Sequence, residues 1–142
     1  VAKIIDFGLG VQLNSFDVSF SKARKGYLVP NMMTGKITYL SPEVLIGQPM
    51  VNPFAIDIWA IGICTLYLLF GFPPLMQAHE SDLRYTYMQT GRLKELLTQW
   101  HVELSEDALD FVQFLLKPNP SQRPTIESVL EHRWLSSVKH EQ

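Results

Sequence analysis

The chain has 142 residues, 46% of them hydrophobic, which suits one domain with a core of its own. Twelve Lys+Arg against fourteen Asp+Glu leave a formal net charge of −2, so there is no basic field to recruit nucleic acid or an anionic membrane surface. A single cysteine, Cys64, excludes an internal disulfide, and His79, His101, His132 and His140 have neither the spacing nor the cysteine partners of a zinc site.

Residues 1 to 7 read as a strand: Val1 to Ile5 alternates as a half-buried strand does, with no turn or cap ahead of it, so the chain is expected to open inside an element. The strand runs into Asp6-Phe7-Gly8, a turn whose glycine can take backbone angles closed to other residues. Residues 9 to 34 have no sustained periodicity and read as a long loop, carrying Ser15, Ser19, Ser21 and Thr34 beside the basic group Lys22, Arg24 and Lys25. Loops of that length in compact domains tend to be functional. Ser41-Pro42-Glu43 then opens a short helix that Gly47 ends, with proline in the first turn, where its missing N–H costs nothing.

Residues 54 to 70, FAIDIWAIGICTLYLLF, form the longest apolar run, and the rest of the chain is expected to wrap around it. A helix apolar on all sides is either the centre of a globular domain or a membrane span. The uninterrupted part, Ile58 to Phe70, is shorter than the ~18 residues of a span, and Gly71 with Pro73-Pro74 ends it. A buried core helix covered on nearly every side is expected, with Cys64 a small core residue inside it.

In residues 80 to 90, Leu83, Tyr87 and Met88 fall on one face of a modest helix closed by Gly91, and Leu93, Leu96, Leu97 and Trp100 make a second apolar stripe. Ser105 is an N-cap with Glu106 and Asp107 in the first turn. The helix behind it puts Ala108, Phe111, Val112 and Leu115 in register and stops at Lys117-Pro118. Pro120 and Pro124 bracket a rigid loop holding Ser121, Gln122 and Arg123. Thr125 caps a last helix whose Ile126, Val129 and Leu130 are expected to face inward, Trp134 and Leu135 complete the packing, and residues 136 to 142 read as a frayed tail.

Each motif alone is weak; their order is specific. Asp6-Phe7-Gly8, the long loop, Gly35-Lys36-Ile37-Thr38-Tyr39-Leu40-Ser41-Pro42-Glu43, Asp57-Ile58-Trp59-Ala60-Ile61-Gly62, Arg123 in its proline-rich loop and His132-Arg133-Trp134-Leu135 together resemble the back half of a eukaryotic protein kinase domain, over residues 1 to about 135. The resemblance implies a mainly α fold: the helical C-lobe portion of the kinase-like fold around a buried central helix at about 54–70, with a strand remnant at the N-terminus. It divides the chain into an activation segment at about 6–43, a helical subdomain at 44–135 and a tail at 136–142. Tyr39 to Glu43 and the His132-x-Trp134 ending resemble serine/threonine rather than tyrosine kinases.

By the same resemblance, Asp6 is the Mg²⁺ ligand at the ATP phosphates, with Phe7 and Gly8 completing the cofactor-side turn. Lys36, Ile37, Thr38, Tyr39 and Leu40 form the floor that receives a substrate peptide. Ser15, Ser19, Ser21 and Thr34 are candidate phosphorylation sites, whose added charge Arg or Lys could pair. Glu43 and Arg123 are the buried pair that ties the segment to the helices, Asp57 accepts backbone N–H groups of the catalytic loop, and Trp59 belongs to the core. Two positions depart from the family pattern: Lys36 stands where threonine is usual, and Ser41 where alanine is usual.

Phosphoryl transfer also needs a Gly-rich loop, a strand lysine and a catalytic-loop Asp with its Asn. None of these occurs in the 142 residues, so no catalytic residue is assigned, and the chain alone is expected neither to bind ATP tightly nor to transfer phosphate. The expectation is a serine/threonine kinase whose upstream half is missing, using ATP and Mg²⁺ on a protein substrate, cytoplasmic, with no nucleic acid and no membrane span. The alternative is a non-catalytic remnant that binds proteins; a membrane-anchored helical protein ranks well behind both.

Overall fold

The computed structural model describes residues 3–10, 12–13, 19–21 and 26–137, with backbone alone at 19–21, 26–27 and 137. Val1, Ala2, Ser15, the basic group Lys22, Arg24 and Lys25, and the tail from 138 lie outside the described residues, as do the side chains of Ser19 and Ser21. Among those described, the fold is mainly α with one small sheet. In chain order come β1 (Ser19–Ser21), β2 (Gly26–Pro30), α1 (Pro42–Leu45), β3 (Met50–Val51), α2 (Pro53–Phe70), α3 (Leu83–Gln89), α4 (Leu93–Gln99), α5 (Glu106–Leu115), α6 (Ile126–Leu130) and α7 (Arg133–Ser137).

The strand content lies elsewhere than expected. Lys3 to Asp6 join no ladder and are exposed, followed by a 3-10 turn over Phe7–Leu9. The sheet is instead antiparallel in the order β1-β2-β3, with Phe20 opposite Tyr27 and Val29 opposite Val51. The stretch read as a plain loop therefore carries two strands. Neither has room for a repeating pattern, and β2 meets a partner 20 residues away in sequence, Pro30 opposite Met50. Their pairing buries Val29, Val44 and Val51 in a small cluster, with Leu13, Leu40 and Ile56 packed against it.

α2 begins at Pro53, whose fixed φ suits the first helical position. Ahead of it Asn52 accepts hydrogen bonds from the N–H groups of Phe54 at 3.0 Å and Ala55 at 3.3 Å. Gly71 ends the helix in the left-handed region at φ 76, its N–H donating to the Tyr67 carbonyl at 2.8 Å. Ala55, Ile58, Trp59, Gly62, Ile63 and Leu66 line the buried face. They pack against Leu75, Tyr85 and Met88, the α4 stripe Leu93, Leu96 and Leu97, and Phe111, Val112 and Leu115 of α5.

Coverage on every side is not found. Ile61, Cys64, Tyr67 and Leu68 are exposed, Leu68 at 84%. Cys64 is thus a surface residue, because the described helices pack on one face of α2 only. With 18 residues and mean hydropathy 1.8, α2 is also long and apolar enough by length and composition to cross a membrane, which the shorter count from Ile58 did not register.

α5 and its cap residue pack closely on α2 at Gly62, where an added Cβ would lie 2.6 Å from Leu116 Cδ2 and 3.1 Å from Leu115 Cβ. Overpacking of this kind costs about 1–3 kcal/mol. Gly62→Val is expected to reach the upper part of that range in urea denaturation, and Gly62→Ala to cost less because alanine regains up to ~1 kcal/mol of helix propensity.

Two short helices turn differently from their sequence pattern. In α3 the buried residues are Tyr85 and Met88, while Leu83 is 69% exposed. The orientation is set by Asp82, which accepts from the Arg84 N–H at 3.0 Å and from the Met76 N–H at 2.6 Å, and so folds the preceding turn onto the helix start. In α6 only Val129 is buried and Ile126 and Leu130 are exposed, since five residues present a single turn to the core. Trp134 and Leu135 pack against the core as expected.

Burial pushes the Asp82 carboxyl up, but the Arg84 guanidinium and the amides of Met76, Arg84 and Gln77 outweigh it and hold the group below the ordinary carboxylate value. A depressed folded pKa adds stability above the unfolded value and loses it as pH falls through the folded one. Thermal unfolding followed on acidification from about pH 5 should lose stability through this group, and Asp82→Asn should flatten that part of the profile.

Candidate functional site

Asp6 sits at φ 61 and ψ 75, in the left-handed region that a non-glycine residue seldom occupies. Its Oδ1 accepts the Gly8 N–H at 3.3 Å, and the Gly10 N–H closes onto the Phe7 carbonyl at 2.9 Å. This is a side-chain-capped turn, which aspartate supports because its short carboxylate reaches its own backbone two residues on. Asp6, Phe7 and Gly8 are all exposed. Asp6 offers one hard oxygen ligand, but among the described residues no group of three His, Cys, Asp or Glu side chains gathers to hold a metal. Among the described residues, Asp6 therefore stands without further ligands that would complete a site for Mg²⁺.

The segment expected to receive substrate is pinned at both ends. Asn31, which sequence reasoning passed over, donates from Nδ2 to the Val44 carbonyl at 3.0 Å and accepts the Met33 N–H at 2.9 Å. Met33 is held at φ 45, and Met32, Met33 and Thr34 are exposed. The Pro30-Asn31 pair was the available signal, since asparagine builds such turns through its side chain. Gly35 at φ 109 turns the chain into Lys36, and Ile37–Tyr39 form a 3-10 turn. Lys36 and Ile37 are exposed, whereas Tyr39 packs on the main core and Leu40 on the small cluster.

Beneath this segment lies the ion pair of Glu43 and Arg123, with side chains 1% and 0% exposed. Arg123 Nη1 meets Glu43 Oε1 at 2.8 Å and Nη2 meets Oε2 at 2.7 Å, the two-pronged geometry of a guanidinium on a carboxylate. The remaining donors reach main-chain carbonyls: Nη1 to Ala55 at 2.7 Å, Nη2 to Pro118 at 3.1 Å and Nε to Lys117 at 2.8 Å. Every guanidinium N–H is therefore used, which is what a buried charge requires. One residue joins α1, α2 and the loop after α5. The three carbonyls could not be read from sequence, because any residue type could supply them.

The guanidinium also lies 5.0 Å from the ring centroid of Trp59, and Tyr85 meets that ring edge-on at 6.3 Å. Trp59 Nε1 and Ser41 Oγ are buried with no hydrogen-bond partner among the described residues. An unsatisfied buried hydroxyl costs about 1–3 kcal/mol. Ser41→Ala is accordingly expected to leave stability unchanged or to raise it by about 1 kcal/mol, read by thermal unfolding. Asp57 stands at the surface in the first turns of α2 with no partner among the described residues, yet nearby protein withdraws enough water to push its carboxyl above the ordinary value.

Asp6, the Lys36 to Leu40 turn, the Glu43 and Arg123 pair and Asp57 thus occur in the chain order that a kinase activation segment and its helical support require. The family model for the protein kinase domain matches residues 1–135. The chain belongs to the protein kinase family.

Curated relatives carry related names. The chain is 31% identical to the probable cell cycle serine/threonine-protein kinase CDC5 homolog of Encephalitozoon cuniculi, over 97% of this chain and 26% of that protein. It is 38% identical to the calcium/calmodulin-dependent protein kinase cmkA of Emericella nidulans, over 72% and 24%. It is 31% identical to the human MAP kinase-activated protein kinase 5, over 94% and 32%. The chain spans about a quarter to a third of the length of these relatives.

Proposed function

We propose that this chain is the activation segment, about 6–43, and helical C-lobe portion, 44–135, of a protein serine/threonine kinase that transfers the γ-phosphoryl group of ATP to a protein hydroxyl. The observation that carries the proposal is the Glu43 and Arg123 pair, which fastens the segment ending in Ser41-Pro42-Glu43 to the helical core. Such a tie has a purpose where a loop must be held in place for a substrate while its upstream end stays free to rearrange. In this reading Asp6 contributes one oxygen to Mg²⁺, Lys36 to Leu40 receive the substrate chain, and Thr34, exposed beside Gly35, is open to phosphorylation. The Gly-rich loop, strand lysine and catalytic Asp belong to the missing N-terminal half of the domain, so the 142 residues alone neither hold ATP tightly nor transfer phosphate. We place the parent protein in the cytoplasm and α2 in its core, with neither nucleic acid nor a membrane span involved.

The exposed outer face of α2, with Ile61, Tyr67 and Leu68, supports a missing body that docks there. The same face favours a second reading, a non-catalytic remnant that binds another protein. The test is the coding sequence upstream of Val1 together with phosphotransfer by its full product. A Gly-rich loop, a strand lysine and a catalytic Asp with its Asn, with serine or threonine labelled from γ-labelled ATP, are expected. Translation that starts at Val1, or a full product that labels no protein, overturns the enzyme reading in favour of the remnant.

A further inference from the structure

From Gly26 to Ile56 the chain carries only two charged residues, Lys36 and Glu43. The Glu43 side chain is 1% exposed with both carboxylate oxygens on Arg123, so it presents no charge to solvent. Lys36 is exposed and, among the described residues, enters no ion pair. Its side chain makes no capping hydrogen bond to the 3-10 turn that it opens. Its main chain is fixed on both sides, by Gly35 at φ 109 and by the Tyr39 N–H on the Lys36 carbonyl at 3.0 Å. The exposed neighbours Met33, Thr34 and Ile37 carry no charge that could answer it. A positive charge thus stands open on the segment assigned to substrate, in a chain whose net charge is −2, so its sign belongs to this segment and not to the protein as a whole.

A surface cation without a local counter-charge favours an anionic partner and disfavours a cationic one. The lysine ammonium is a compact charge on a flexible stem, so this preference depends on the position of its main chain and on its sign rather than on one fixed placement of the amine. A phosphate group is ordinarily held by several donors, an arginine fork among them, whereas a single amine suits a carboxylate. On the reading that this segment receives substrate, we propose that Lys36 makes it select acidic peptides, in which aspartate or glutamate stands within a few residues of the hydroxyl. Lys36 stands where threonine is usual in the family, so the preference is a property of this chain rather than of protein kinases at large.

The test uses the product of the full coding sequence and three fluorescein-labelled peptides, alike except for the residues two places either side of a central serine, which are glutamate, glutamine or lysine. Binding is read by fluorescence anisotropy, and phosphotransfer by label from γ-labelled ATP. The glutamate peptide is expected to bind about three- to fivefold more tightly than the glutamine peptide, the size of an exposed ion pair, and the lysine peptide more weakly than either. The margin should shrink as ionic strength rises. Lys36→Met should bring the glutamate and glutamine peptides level, and Lys36→Glu should reverse the order of glutamate and lysine. Each comparison is a ratio within one variant, so a general loss of binding or activity cancels. Acid preference in binding with no labelling of any peptide keeps the proposal and overturns the enzyme reading. Labelling without acid preference keeps the enzyme reading and overturns the proposal. A margin that survives Lys36→Met belongs to the upstream Lys22, Arg24 and Lys25 and overturns the assignment to Lys36.

Discussion

Arg123→Met is expected to lower the free energy of unfolding by about 3–5 kcal/mol, measured by urea denaturation, because it strands the Glu43 carboxylate in a site that excludes water. That is a large part of the ~5–15 kcal/mol by which domains are ordinarily stable. Glu43→Gln should fall in the same range for the converse reason, leaving the guanidinium charge without a counter-ion. The double variant Glu43→Leu with Arg123→Met should be milder than the sum of the two, since a buried pair replaced by apolar groups leaves no lone charge. It should not return to wild type, because the carbonyls of Ala55, Lys117 and Pro118 also lose their donor. Single variants within ~1 kcal/mol of wild type would show that the pair contributes nothing beyond what surface pairs do.

Trp59→Ala is the second large effect, about 3–5 kcal/mol in the same measurement. The ring is fully buried among α2, α3 and the Arg123 guanidinium, and its removal opens a cavity where those elements meet. Trp59→Phe should lose less than half as much. It keeps most of the apolar contact, and the indole N–H it removes has no hydrogen-bond partner among the described residues. Because Trp59 lies 5.0 Å from the guanidinium, its substitution and that of Arg123 should not add. Additive losses would mean that the cation and the ring are energetically separate.

The two substitutions test different links of one arrangement. Three of the five Arg123 hydrogen bonds reach groups distant in sequence, Glu43 80 residues away and Ala55 68, while the carbonyls of Lys117 and Pro118 lie close by in the chain. Trp59 supplies the floor beneath it. If the activation segment is held by this junction, loss of either residue should loosen Ser41 to Leu45 before the α4 and α5 core, which hydrogen exchange at those amides would report.

What was legible in the sequence was local. The end of α2 at Gly71, the Ser105 cap and the Pro118 stop each depend on a residue acting on its own neighbours. The apolar stripes of α4 and α5 were legible for the same reason, since a helical period is a property of a few turns. The serial order of Asp6-Phe7-Gly8, Ser41-Pro42-Glu43, Asp57 and Arg123 was enough to point to the family.

The tertiary structure alone decided which side of each element meets another. α2 is apolar on every side, so its sequence carries no periodic signal of which face is open, and Cys64 was assigned to a core that covers the other face. Leu83 and Tyr85 are both apolar enough to be buried; the Asp82 clamp chooses Tyr85. The pairing of β2 with β3 and the carbonyls around Arg123 join segments separated by many residues, and the free energy of such contacts depends on what the whole fold brings near. Sequence determines caps, periods and motif order because these act within a few residues; burial, pairing and the satisfaction of a buried charge are set only when distant parts of the chain meet.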